Sequence, residues 1–176
     1  NNAVYMYHVH YKWNKNIVLP DGENVHITQI KWSFKENVFA VMYFNDVQKK
    51  LSVAMVNSET LIAKRVYTYT DNRFISPDIA STILFFPEND NFAILSDKDG
   101  YTHAYVYTQA GILKYQIGKG NFDVTKIYGY DAKNKLVYYQ STENGPLNRG
   151  VYAIGLYDGK KRALAQEEGT NDASFS

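Results

Sequence analysis

An aromatic strand–turn–strand unit occurs three times along this 176-residue chain. Ile30-Lys31-Trp32-Ser33-Phe34, a polar turn and Val38-Phe39-Ala40-Val41 form the first copy. Ile83-Leu84-Phe85-Phe86, the turn Pro87 to Asn91 and Phe92-Ala93-Ile94-Leu95 form the second. Ile127-Tyr128-Gly129-Tyr130, the turn Asp131 to Lys135 and Leu136-Val137-Tyr138-Tyr139 form the third. Trp32, Phe86 and Tyr130 each stand six residues before the next strand, so the aromatic recurs after 54 residues and then after 44. Every copy runs on into a third strand (51–57, 102–108, 150–157) and a short fourth (61–68, 112–118, 161–165). Four antiparallel strands repeated every 40–50 residues or so are the signature of β-propeller blades. One such sheet cannot bury both of its faces, and stacking blades around an axis buries them against neighbours.

The rest of the chain agrees with an all-β reading. Sixteen Tyr, nine Phe and two Trp make it 15% aromatic, a composition that favours strands. Period-2 alternation is expected in Ala3 to Tyr11, Val38 to Tyr43, Leu51 to Val56, Ala104 to Tyr107 and Val151 to Leu156. Clusters of Asn, Asp and Gly, which reach the positive φ angles of tight hairpins, separate these runs. No stretch carries a helical stripe. The whole of 1–176 therefore reads as part of a single propeller domain: a partial blade at 3–19, blades at 27–68, 80–118 and 123–165, and a partial blade at 172–176. Known propellers close with typically 4–8 blades, so this is a segment of a larger ring.

Composition removes several function classes. Nineteen Lys and Arg against eighteen Asp and Glu leave a net charge of +1, with no basic excess for nucleic acid or an anionic membrane surface. The absence of cysteine removes disulfides, thiolate metal sites and a cysteine nucleophile. No run reaches the ~18 apolar residues of a membrane helix. Beginning at Asn1 rather than Met, the chain reads as processed or as a piece of something longer.

Specific segments then carry a resemblance. Lys98-Asp99-Gly100-Tyr101-Thr102-His103-Ala104-Tyr105 resembles the D-G-aromatic-x-H-x-Y blade segment of the dipeptidyl peptidase IV family. Lys119-Gly120-Asn121-Phe122-Asp123-Val124, Val137 to Glu143, Pro146-Leu147 and Val151-Tyr152 are similar, in the same order, to that family's K-G-x-W-x-V, V-Y-x-x-x-T-E-x-x-P-L and L-Y. The tail Gly169 to Ser176 resembles G-x-x-x-A-x-F-S, and Ile30-Lys31-Trp32-Ser33 resembles I-K-W-S. The match runs over about 27–176. Phe122 replaces the usual Trp, and Phe34-Lys35-Glu36-Asn37 replaces the usual Pro-Asp-Gly turn. The resemblance implies a periplasmic or secreted serine exopeptidase that releases N-terminal X-Pro or X-Ala dipeptides. In that family an eight-bladed propeller caps a C-terminal α/β-hydrolase domain.

The catalytic parts of such an enzyme are missing here. No serine has the flanking glycines of the Gly-x-Ser-x-Gly nucleophile elbow, so the chain alone is expected to be inactive, with the propeller gating and shaping the substrate cavity. Arg73-Phe74 resembles the family's Arg-Phe stretch at the cavity rim, which makes these two the candidate substrate-facing residues. The family's acidic pair for the substrate amino terminus is absent, and Glu167-Glu168 reads as a solvated loop.

Other clusters have plainer readings. His8 and His10, two apart on a strand, share a face but lack the third ligand a zinc site needs, and no metal or cofactor is expected. Asp97-Lys98-Asp99-Gly100 is a hairpin turn rather than a calcium loop, because Thr108 stands where the closing Glu belongs. The Lys49-Lys50 and Lys160-Lys161-Arg162 clusters read as edge-protecting charge. A second function class remains open: an autonomous binding or scaffolding module without peptidase activity. Open blade edges also invite self-association.

Overall fold

The structure, a computed structural model, describes residues 3–22, 24–45 and 48–175. It is built almost wholly of antiparallel strands. A hairpin, β1 (Val4–His8) and β2 (Trp13–Ile17), comes first. Three four-stranded sheets follow. The first holds β3 (Val25–Trp32), β4 (Val38–Asn45), β5 (Lys50–Asn57) and β6 (Ala63–Thr70). The second holds β7 (Ile83–Phe85), β8 (Phe92–Ser96), β9 (His103–Tyr107) and β10 (Leu113–Ile117). The third holds β11 (Val124–Asp131), β12 (Leu136–Ser141), β13 (Gly150–Gly155) and β14 (Lys161–Ala165). Strand order within each sheet follows chain order, which is the blade meander. The one helical element among the described residues is a 3-10 turn at Ile79–Ser81.

Turn geometry makes the repeat explicit. Between first and second strands the last turn residue is Asn37, Asp90 or Lys135, with φ of 59°, 52° and 58°. Between third and fourth strands the corresponding residue is Leu61, Gly111 or Gly159, with φ of 61°, 83° and 66°. Left-handed backbone costs an ordinary side chain roughly 1–2 kcal/mol, so these six positions mark where each meander must reverse. They also correct the register of the aromatic repeat. Trp32 pairs with Phe39, and Tyr130 with Val137. The Phe86 amide bonds Asn91 O as the Ser33 amide bonds Val38 O, so Phe86 corresponds to Ser33, and Phe85 to Trp32 and Tyr130. Two adjacent phenylalanines hide a one-residue slip that the alternation alone does not resolve.

The central strands do not alternate as expected. All six residues Phe39–Phe44 of β4, Leu51–Val56 of β5, and every residue of β8 and β9 are buried. Strands covered on both faces read as continuous apolar runs, and polar-out alternation is lost. β11 and β3 instead carry bulges, at Thr125 and Thr28. Each hydroxyl bonds the facing strand, Thr28 to Met42 O at 3.2 Å and Thr125 to the Gln140 side-chain oxygen at 2.7 Å.

The chain divides into two compact units, 1–83 with 109–111, and 84–108 with 112–176. In the first, the β1–β2 hairpin lies on the first sheet. Val4, Ile17 and Leu19 join Val25, Phe39, Val41, Tyr43, Ala54 and Val56 in one apolar cluster. Each such fully buried large side chain contributes about 1.5–3 kcal/mol. In the second unit, Phe86 meets Tyr130 edge-on at 4.9 Å, joining the second and third sheets. The tail follows the third sheet: Thr170 forms an isolated parallel bridge with Arg149, and Phe175 stacks on Tyr138 at 4.3 Å. Residues 172–175, read as the opening strand of a later blade, have no ladder partner among the described residues, and Ser176 lies outside them.

Candidate functional site

In the first unit, Arg73 and Phe74 occupy the segment between β6 and the 3-10 turn. Its ends are tied to the turn between β4 and β5. The Asp71 amide donates to Lys49 O at 3.0 Å, and the Ile75 amide to Gln48 O at 3.2 Å. Ile75 is 1% exposed and acts as the apolar anchor. Between the anchors Asn72, Arg73 and Phe74 face solvent, with Phe74 62% exposed. The Asp71 carboxylate organises them. One oxygen accepts the Arg73 amide at 2.7 Å and lies 3.5 Å from its guanidinium, and the other accepts the Tyr69 hydroxyl at 3.2 Å. The Arg73 amide foremost, with Tyr69 and the Arg73 charge, holds this carboxyl below its usual range. The loop thus offers a guanidinium and a bare aromatic face, which suit a carbonyl and a flat or apolar side chain of a peptide.

In the second unit the family-like segments converge. Asp99 accepts from His103 Nδ1 at 3.2 Å and from Gln116 Nε2 at 3.1 Å. Thr102 donates its amide to the Asp123 carboxylate at 2.7 Å, and Val124 returns an amide to Thr102 O at 2.6 Å. Asp123 and Thr142 then bond reciprocally, Asp123 N to Thr142 Oγ1 at 3.0 Å and Thr142 N to Asp123 O at 2.9 Å. Phe122 lies edge-on to the His103 ring at 5.3 Å. The segments D-G-Y-T-H, K-G-N-F-D-V and S-T-E therefore form one buckle between the second and third sheets. Gly120 is required within it: its φ is +149°, and a Cβ there would stand 2.7 Å from the Phe122 ring.

The Asp99–His103 pair has the outward form of half a catalytic triad, but its setting denies that role. An acceptor-only carboxylate places the ring proton on Nδ1. His103 is 2% exposed, and its Nε2 is buried with no partner among the described residues. A base that no substrate can reach is a structural pin.

The remaining sequence candidates separate. His8 ends β1, where its Nδ1 accepts the Tyr11 amide at 3.2 Å. His10 lies in the following turn, so the two do not share a strand face as the alternation suggested; the strand is shorter than its apolar pattern. No group of three His, Asp or Glu suited to a metal occurs among the described residues. Asp97 to Gly100 closes a turn through Gly100 N to Asp97 O at 2.9 Å. Glu167 and Glu168 are exposed loop residues. Lys50 and Lys161 are not merely edge charges: they pair with Asp21 and Glu143. Asp71 was missed by sequence reasoning, although an Asp two residues ahead of an exposed loop residue is a recognisable Asx-turn signal.

A family model described as the dipeptidyl peptidase IV (DPP IV) N-terminal region matches residues 3–176. Dipeptidyl peptidase 4 of Trichophyton rubrum is 29% identical over 144 residues, covering 80% of this chain and 18% of that protein. The crystal structure of Porphyromonas gingivalis dipeptidyl peptidase 4 superposes with a TM-score of 0.90 at 34% identity, over 99% of this chain and 24% of that one. TolB of Acinetobacter baumannii is alike in fold alone, with a TM-score of 0.63 at 11% identity over 92% of this chain and 37% of its own. The chain spans less than a fifth of the length of the curated relatives it matches.

Proposed function

Because the chain belongs to the dipeptidyl peptidase IV family, as part of its N-terminal propeller region, we propose that it is the non-catalytic portion of a serine exopeptidase that releases N-terminal X-Pro and X-Ala dipeptides. Its task is to shape and gate the cavity in which a C-terminal α/β-hydrolase domain works. Its partners are that domain and the peptide substrates, in the periplasm or outside the cell. The observation that carries this reading is the exposed Arg73–Phe74 pair held out on a loop pinned at both ends. Phe74 packs against an extended peptide, and Arg73 reaches its carbonyls.

Two measurements test the reading. The pure 176-residue chain is expected to release no chromophore from a Gly-Pro chromogenic amide, since it has no nucleophile elbow. Turnover above a blank overturns the non-catalytic assignment. An isotope-labelled chain titrated with a Gly-Pro-initiated hexapeptide is expected to show NMR shifts centred on Arg73 and Phe74. Shifts confined to other residues overturn the substrate-facing role.

A further inference from the structure

We infer that Asp71 is the positioning residue of the Arg73–Phe74 loop, setting the direction in which Phe74 meets a peptide; this rests on the substrate-facing reading above. The anchors at Asp71 and Ile75 fix only the ends of the excursion. The three residues between them are exposed, Phe74 to 62%. The Asp71 carboxylate supplies the missing constraint from inside the loop. It captures the Arg73 amide at 2.7 Å, which fixes the peptide plane two residues on and so the origin of the Phe74 side chain. The same oxygen faces the Arg73 guanidinium, holding that cation back along the loop. The second oxygen is steadied by the Tyr69 hydroxyl from β6. Only 18% of the Asp71 side chain is exposed, although it stands beside an arginine side chain that is 89% exposed. The carboxylate faces inward as a staple and is not a surface charge. Binding to an unordered loop costs about 0.5–1.5 kcal/mol for each side chain immobilised. A loop ordered beforehand by Asp71 avoids that cost for both Arg73 and Phe74.

The test uses the same hexapeptide, with affinity read by NMR titration on the full 176-residue chain. Asp71→Ala is expected to weaken binding about tenfold, in line with two side chains losing their order. Asp71→Asn keeps an oxygen for the Arg73 amide and is expected to retain most of the affinity, within about threefold. Asp71→Glu, whose longer stem misplaces the acceptor, is expected to behave like the alanine variant. Because Asp71 is largely covered and also accepts the Tyr69 hydroxyl, Asp71→Ala is expected to lower the tryptophan fluorescence midpoint of the first unit in urea, and affinities are compared where that midpoint shows every variant to be folded. In the unbound wild type the Arg73 amide shift should follow the Asp71 carboxyl, titrating below the ordinary value of 3.8. Phe74→Ala separates the two ideas. If it leaves affinity unchanged, or the wild type binds no peptide, the substrate-facing reading fails. Backbone relaxation at residues 72–74 of Asp71→Ala then still decides the positioning role, with unaltered order refuting it. If Phe74→Ala weakens binding and Asp71→Ala does not, the positioning role is overturned alone.

Discussion

Glu143 ties two buried hydroxyls and a lysine together in the third sheet, and its removal has a calculable cost. Its carboxylate accepts the Tyr139 hydroxyl at 2.8 Å and the Ser141 hydroxyl at 3.1 Å, and it pairs with the Lys161 ammonium. Tyr139 and Ser141 are both 0% exposed, so neither can turn to water when the acceptor goes. Burial, reinforced by Glu143, pushes the Tyr139 hydroxyl far up, so it remains a donor throughout the accessible pH range. A hydrogen bond to a charged group contributes about 1.5–3 kcal/mol. The Lys161 pair counts for less, about 0–1 kcal/mol, because that side chain is 42% exposed. Glu143→Ala is therefore expected to destabilise the second unit by about 3–4 kcal/mol. Tyr139→Phe, which keeps the ring stacked on Tyr152 at 5.6 Å, should cost about 1.5 kcal/mol.

The double variant discriminates the cause. With Glu143 gone, the Tyr139 hydroxyl has nothing left to lose, so the pair should cost no more than Glu143→Ala alone, a coupling of about 1.5 kcal/mol. The assay must read the right unit. Trp13 and Trp32, the only tryptophans, both lie in the first unit. Hydrogen exchange of β12 and β13 amides across a urea series is the suitable probe. Additive costs, near 5 kcal/mol for the double variant, would refute the argument that one buried bond links the two residues.

Two further outcomes follow from the same geometry. Asp21, 12% exposed, accepts from Tyr43 at 2.9 Å and Arg65 at 2.6 Å and pairs with Lys50; Asp21→Ala should lower the stability of the first unit by about 2 kcal/mol, read by tryptophan fluorescence in urea. Burial pushes the Asp21 carboxyl up, but Lys50, Tyr43 and Arg65 outweigh it and hold it below 3.8; its stabilisation is thus present above about pH 4 and lost as pH falls further, so wild type and Asp21→Ala should converge in acid. Gly120→Ala should cost about 2 kcal/mol or more through its positive φ and the Phe122 ring, measured by exchange at β9 and β11; a neutral substitution would show that the buckle is slack.

How much was legible before the structure depends on the kind of signal. Aromatic and β-branched runs separated by Asn, Asp and Gly located the neighbourhoods of the fourteen strands among the described residues, because strand content and reversal are local properties. Register was less accessible. Phe85 and Phe86 are equally apolar and both buried, and only the amide of Phe86 bonding to Asn91 O tells which one is Trp32's counterpart in register. Left-handed backbone at Lys135 and Leu61 was invisible for a different reason: neither residue favours it, and the surrounding meander imposes it. The Arg73–Phe74 pair was singled out by resemblance, whereas Asp71 carried only the local signal of an Asx turn, and its bond to the Arg73 amide was seen in the structure.

The segments that carried the resemblance prove to be joints. D-G-Y-T-H, K-G-N-F-D-V and S-T-E meet through Asp99, Thr102, Asp123 and Thr142, whose polar groups are engaged with one another and with the backbone of the neighbouring segment. This follows from what a meander tolerates. Strand residues accept many apolar substitutes of suitable volume, but a carboxylate that must meet a backbone amide at 2.7 Å does not. Short motifs in a blade therefore identify the scaffold more readily than the chemistry mounted on it. The loop from Asp71 to Ile75 is the converse: two exposed side chains beside a carboxylate that accepts the Arg73 amide at 2.7 Å. Function on such a scaffold is best sought where order is maintained without burial, which is why the test of Asp71 is read at residues 72–74.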